Sequence, residues 1–122
     1  MAIPFAEKLG VLLLEASAEL VRARLAYSAE LCTVGGVMHG GALMALADNS
    51  GGLCAFLNMP EGLKKTATIA SATSFMRAVS GGTVEATTRP LHRGKTLIVL
   101  ETELRRDDGS LAAKVTQTQV FR

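Results

Sequence analysis

Residues Glu19–Ser28 alternate, with Val21, Ala23, Leu25 and Tyr27 on one side and Leu20, Arg22, Arg24 and Ala26 on the other. A period of two is the mark of a half-buried strand. Val11–Glu15 before it also reads as a strand, and Ile3–Leu9 as a short helical lead-in stopped by Gly10. The pattern changes at Gly40–Leu57, which is rich in Ala, Leu and Met and apolar nearly all round. A helix there would be roughly 27 Å long, and a helix without a polar stripe must be covered on most sides. Gly51 and Gly52 weaken it locally, but Leu53–Leu57 resumes the pattern, and Asn58, Pro60 and Gly62 end it. From Ala67 the chain turns to Thr, Val, Leu and Ile. Four strands are expected, at Ala67–Ala78, Thr83–His92, Thr96–Arg106 and Leu111–Phe121. Ser80-Gly81-Gly82, Arg93-Gly94-Lys95 and Asp107-Asp108-Gly109-Ser110 form the turns between them. One helix that is apolar all round needs a curved sheet to wrap it and something further to cover the rest. An α+β domain with its helix inside an antiparallel sheet, dimerised, meets both needs.

The chain of 122 residues fits a single domain over 1–122, with 48% hydrophobic and 20% charged residues and no linker or repeat. Thirteen basic residues against eleven acidic leave a net charge of +2, and there is one Tyr and no Trp. This offers neither the basic face nor the stacking platforms expected of a nucleic-acid binder. Glu7, Lys8 and Glu15 interrupt the N-terminal apolar residues, so no signal-peptide core is present. Leu31–Pro60 is long enough to span a bilayer, but six glycines and Asp48 argue against it. Cys32 and Cys54 form no CxxC pair and read as free thiols in a reducing cytoplasm.

Familiar motifs fail on inspection. Arg93-Gly94-Lys95-Thr96 resembles the end of a phosphate-binding loop, but Arg89 stands where the first glycine is required, and the segment joins strand to strand. Ala78-Val79-Ser80-Gly81-Gly82 lacks the first glycine of a nucleophile elbow. His39 and His92 are too far apart in the chain to suggest a metal site, and no metal is expected.

Asp48 stands apart. Asp107 and Asp108 occupy a turn, where Asp is common, whereas Asp48 is the only acidic or basic residue between Glu30 and Glu61. Either it faces solvent or ties down a loop, or it is a base or nucleophile held in a poorly hydrated cleft. Upstream, Gly35-Gly36-Val37-Met38-His39-Gly40-Gly41 lets backbone approach a ligand at a helix start, where unpaired N–H groups could polarise a carbonyl. Asp48 lies about 12 Å further along the same helix. A two-fold dimer brings the two together by setting Asp48 of one subunit against the helix start of the other.

The string His39-Gly40-Gly41 with Asp48 seven residues after Gly41 resembles the HGG-x(6)-D signature of hotdog-fold acyl-CoA thioesterases of the PaaI (phenylacetate-pathway) type. Ser74-Phe75-Met76-Arg77-Ala78, Gly81-Gly82-Thr83-Val84, Arg93-Gly94-Lys95-Thr96 and the Asp108-Gly109 hairpin follow in the family's order. The resemblance implies a hotdog fold, with a long helix wrapped by a curved antiparallel sheet. It also implies homodimers or homotetramers with active sites at the dimer interface. Asp48 matches the catalytic carboxylate, as general base or nucleophile. Gly40 matches the residue whose N–H polarises the thioester carbonyl, and His39 and Gly41 shape that turn. Thr68 falls near a family Ser/Thr that orients the nucleophile or water. Thr33 stands where the family usually has Asn or Gln, and either substitutes through water or alters rate and selectivity.

The implied activity is hydrolysis of aromatic or short- to medium-chain acyl-CoA in the cytoplasm. Coenzyme A is then part of the substrate, and no cofactor is expected. Arg89, His92, Arg93 and Lys95 cluster about one turn, either as contacts to its phosphates or as an ordinary solvated turn. Met38, Met44, Leu53, Phe56 and Phe75 could line an acyl pocket or simply fill a core. A scaffold or sensor that binds acyl-CoA without turnover is the alternative, and a hotdog dehydratase a more distant one. An isolated carboxylate on an apolar helix favours turnover.

Overall fold

The computed structural model describes residues 3–122. In chain order these form α1 (Pro4–Leu9), β1 (Leu12–Ala16), β2 (Val21–Ala26), a 3-10 turn (Ala29–Leu31), α2 (Gly40–Leu57), β3 (Thr66–Phe75), β4 (Thr83–Arg93), β5 (Leu97–Arg106) and β6 (Leu111–Phe121). The strands make one antiparallel sheet in the order β1-β2-β4-β5-β6-β3. The alternation in β2 does what its pattern requires. Val21, Ala23 and Leu25 are fully buried, while Arg22 turns outward to pair with Glu15 and Glu85 at 3.2 and 3.1 Å. Gly10 ends α1 at φ +89°, in the left-handed region that only glycine enters freely.

The bounds of α2 are those read from the sequence, and its two ends have identifiable causes. His39 caps the start with its side chain. At the far end, the Asn58 Nδ2 donates to the carbonyls of Cys54 and Ala18, both at 2.8 Å, which ties the helix end to the β1–β2 turn. Ala42, Leu43, Leu46, Ala47, Ser50, Gly51, Cys54 and Ala55 form the buried stripe. This stripe packs against β2 through β6, so the sheet wraps the helix in the expected hotdog arrangement. Bulges in β1, β3, β4 and at Ala112 near the start of β6 help the sheet to curl.

Two apolar clusters fill the space between helix and sheet. One gathers Leu43, Leu46, Val84 and Leu104 near the start of α2, and the other gathers Cys54, Ala55, Ile98, Leu100 and Phe121 near its end. Between them runs a band of buried polar residues: Ser50, Thr88, Thr102, Gln117 and Gln119. The Thr88 and Thr102 hydroxyls bond to each other at 2.7 Å, and Ser50 Oγ donates to the Leu46 carbonyl at 3.0 Å. The Gln117 amide presses on Gly51 so closely that a Cβ there would clash with its Oε1. The glycine that looked like a weakness in the helix is therefore a packing requirement.

One strand differs from expectation. β3 stops at Phe75 rather than Ala78. The N–H groups of Met76 and Arg77 both turn to the Ala112 carbonyl, at 2.8 and 3.1 Å. Val79 is then free to enter the core at the helix start, where its carbonyl accepts from the Met38 N–H at 2.8 Å. No helix among the described residues is long and apolar enough to cross a membrane.

Candidate active site

The segment before α2 is pinned at several points. The Thr33 N–H donates to the Val37 carbonyl at 2.9 Å, the His39 N–H to Leu31 at 2.7 Å, and the Tyr27 hydroxyl to the Gly36 carbonyl at 2.8 Å. Gly35 and Gly36 turn the chain at φ +85° and +72°. The Cys32 thiol beside Tyr27 holds that phenol above its ordinary pKa. His39 Nδ1 accepts the Gly41 N–H at 2.9 Å, so the neutral ring carries its proton on Nε2. Gly41 is needed there, because a Cβ would lie 3.1 Å from that nitrogen. Its amide is committed to the cap. The Gly40 N–H, by contrast, has no partner among the described residues and sits at the positive end of the helix. The Phe75 ring lies over Gly40 so closely that a Cβ would be 3.0 Å from Cζ. Around this point is a pocket of about 340 Å³ lined by Thr33, Met38, Gly40, Leu43, Phe75 and Val79. Thr33 and Gly40, paired only by a sequence signature, thus share one cavity.

The sequence left Asp48 open between solvent and a cleft shared with a second copy; in the single chain it is exposed. It lies on the side of α2 that the sheet does not cover, together with Met44, 43% exposed, and Phe56, 42% exposed. The carboxylate is nonetheless oriented, since Thr68 Oγ1 donates to Asp48 Oδ1 at 3.0 Å. Thr68 and Asp48, twenty residues apart in the chain, are thus brought together. Behind Thr68 stands Gln119, whose Nε2 donates to Thr68 Oγ1 at 2.5 Å while its Oε1 accepts from Thr66 Oγ1 at 2.9 Å. Sequence reasoning passed over Gln119. The signal was a run of alternating Thr and Gln at 116–119 within an otherwise apolar strand. Asp48 does not line the Gly40 pocket of its own chain.

The basic turn lies elsewhere. Arg93 donates to the Ala18 carbonyl at 3.2 Å, the same carbonyl that holds Asn58, so the β4–β5 turn sits at the C-terminal end of α2. Arg89, His92 and Lys95 are exposed near that turn. Two lysines that the sequence reading did not single out, Lys64 and Lys65, border a groove of about 300 Å³ with Gly52, Leu53, Phe56 and Thr66. Of the candidate acyl-pocket residues, Met38 is core, Phe75 lines the Gly40 pocket, and Leu53 and Phe56 line this groove.

The Thioesterase superfamily model matches residues 35–113, from the glycine loop through α2 and across the sheet. The chain belongs to the Thioesterase superfamily. As such it is a thioester hydrolase. Among this thioesterase's relatives is Rv1847 of Mycobacterium tuberculosis, provisionally named an esterase. It is 32% identical over 97 residues, covering 78% of this chain and 69% of that protein. The proofreading thioesterase EntH of Klebsiella pneumoniae is 36% identical over 87 residues, 71% of this chain and 63% of that protein. The solved structure of the conserved protein PA5202 from Pseudomonas aeruginosa matches with a TM-score of 0.92 at 32% identity, covering 100% of this chain and 96% of the other.

Proposed function

We propose that this thioesterase hydrolyses acyl-CoA carrying aromatic or short- to medium-chain acyl groups, at sites shared between two copies of the chain in the PaaI manner. The observation that carries the reading is Asp48, a carboxylate aimed by a threonine hydroxyl on an apolar, uncovered helix face. A second copy would cover that face. β3 is an edge strand, with residues 67–72 exposed and Ile69 57% and Phe75 52% exposed. An apolar edge of this length invites pairing with its own symmetry mate. Such pairing sets Asp48 of one subunit toward the Gly40 pocket of the other.

In the shared site the thioester oxygen accepts from the Gly40 N–H, where the helix start stabilises the negative charge that develops there. Asp48 either takes a proton from water, whose hydroxide adds to the carbonyl carbon, or attacks that carbon itself to give an anhydride that water then cleaves. Both routes break the C–S bond, and coenzyme A leaves as a thiol after protonation. Thr33 faces the same cavity and holds water or the acyl carbonyl in place of a longer amide. His39 and Gly41 keep the helix start in shape. Exposed lysines and arginines supply the phosphate contacts, and the cytoplasm supplies the substrate.

Asp48→Asn tests the reading. The amide keeps the shape and can still accept from Thr68, but it neither removes a proton nor attacks a carbonyl. Hydrolysis should fall on the order of 10²–10⁴-fold, chiefly in kcat, with the assembly and acyl-CoA binding retained. Activity within a few-fold of wild type would make Asp48 structural. A wild-type protein that binds acyl-CoA without turnover would make the chain a carrier or sensor.

A further inference from the structure

The buried polar band contains one side chain that reaches Asp48 through a single intervening hydroxyl. Gln119 is 2% exposed and pairs in register with Thr68 across the β3–β6 ladder. A buried amide needs partners at both ends, and Gln119 has them in Thr66 and Thr68. These two residues are two apart on one strand and so point to the same side. The register shifts immediately after Thr68, at Ile69, a bulge of the kind that re-aims a neighbouring side chain.

The direction of these bonds matters more than their number. A threonine hydroxyl has one hydrogen to give, whereas an amide nitrogen can only donate. Because Gln119 Nε2 donates to Thr68 Oγ1, Thr68 must accept there, and its single hydrogen is left for Asp48 Oδ1. Thr66 donates to Gln119 Oε1, so both ends of the amide are satisfied in this sense, and the acceptor-only Asp48 carboxylate beyond Thr68 selects it. The opposite orientation of the amide would draw the Thr68 hydrogen away and turn oxygen lone pairs toward a carboxylate.

We propose that Gln119 is a positioning residue for thioester hydrolysis, which fixes the Thr68 hydroxyl as a donor to Asp48 and thereby leaves the second carboxylate oxygen, Oδ2, to act on water or the carbonyl. The proposal rests on Asp48 being the reacting group. Gln119, 2% exposed, acts through Thr68.

The test is a double-mutant cycle in kcat and KM on one acyl-CoA. Gln119→Met keeps the length and removes both polar ends, and Thr68→Val keeps the shape and removes the hydroxyl. Each should lower kcat by about tenfold to a hundredfold with KM changed less than about threefold, the scale on which misplacement of a reacting group is felt. The double variant should be no slower than the worse single one, because the two residues act through one hydrogen bond. Thr68→Ser should restore most of kcat. Gln119→Glu, which has the same shape but no donor, should be as slow as Gln119→Met. It also serves if the methionine variant loses its melting transition or its assembly state. Multiplying effects in the double variant, or wild-type kcat in Gln119→Glu, would overturn the relay. Asp48→Asn measured alongside separates the two ideas. If that variant is active, the assignment of Asp48 fails. If it is inactive while both Gln119 variants turn over at the wild-type rate, only the role of Gln119 fails.

Discussion

Three aspartates show how much environment decides for one side chain. Asp107 accepts from the Thr83 N–H and Oγ1, and Asp108 is held by the Ser110 hydroxyl and amide, whose hydrogen bonds lower its pKa. Both serve a turn. Asp48 holds no turn and is oriented on an apolar helix face by the Thr68 hydroxyl of β3. The two thiols differ in the same way. Burial pushes Cys54 up to about 11, whereas Cys32 is only half-buried. A disulfide reagent at pH 8 should therefore modify Cys32 alone in the folded protein and both thiols in denaturant. Rapid reaction of Cys54 under native conditions would show that end of the helix to be open. On the proposed acyl-CoA reading, the lysines bordering the Phe56 groove are candidates for phosphate contacts. Lys64→Ala with Lys65→Ala should raise KM for acyl-CoA by roughly fivefold, an effect that shrinks with salt and disappears for a pantetheine thioester. The same measurement on Arg93→Ala with Lys95→Ala should show the smaller change, since Arg93 is already engaged with Ala18.

At the scale of elements, α2 was legible to the residue because its apolar run is bounded by a cap and by Asn58. The β4–β5 and β5–β6 hairpins were equally plain, since each turn carries glycine, but Ser80-Gly81-Gly82, which reads as a third hairpin, is a crossover: β3 pairs with β6 and not with β4. The overrun of β3 was not legible, because alternation continues through Met76–Val79 while the backbone bonds go to Ala112 instead. The exposure of Asp48 was hidden for a related reason. Periodicity reports that a face is apolar, not whether its own sheet or another copy covers it. The relay through Gln119 depends on a register between strands far apart in the chain, which no local pattern encodes. The two helix glycines separate cleanly in the structure. Gly51→Ala should lower stability by about 1–3 kcal/mol, because Gln117 has to give way. Gly52 has nothing within 4 Å of a built Cβ, so Gly52→Ala should stabilise the helix by about 0.5–1 kcal/mol. Thermal melts of the two variants read the difference directly.

For the whole molecule the decisive question is whether one site draws on two chains. Gly40→Pro removes the helix-start N–H at a position whose backbone suits proline, since His39 has φ −61° and ψ 135°, and the Phe75 ring, 3.0 Å from a built Cβ, has to swing aside to admit the ring. Homodimers of Gly40→Pro and of Asp48→Asn should both be inactive. Mixed and re-equilibrated in equal amounts, they should recover about a quarter of wild-type activity, because half the dimers are hybrids and each hybrid has one intact shared site. A site built within one chain would recover nothing.

The contact between Gly51 and Gln117 then takes on a mechanical meaning. It acts as a key in a keyway. Advancing the helix by one residue would move it about 1.5 Å and turn it about 100°, which would present a different side chain to the amide where only a bare Cα fits. The helix is thereby indexed against the sheet along its axis and about it. One turn before the notch is Asp48, and three turns before it is Gly40. In the proposed dimer the carboxylate of one site and the amide of the other would thus be carried on a single indexed rod. The outer face of that rod can change to suit new acyl groups while the spacing between its two chemical groups stays the same.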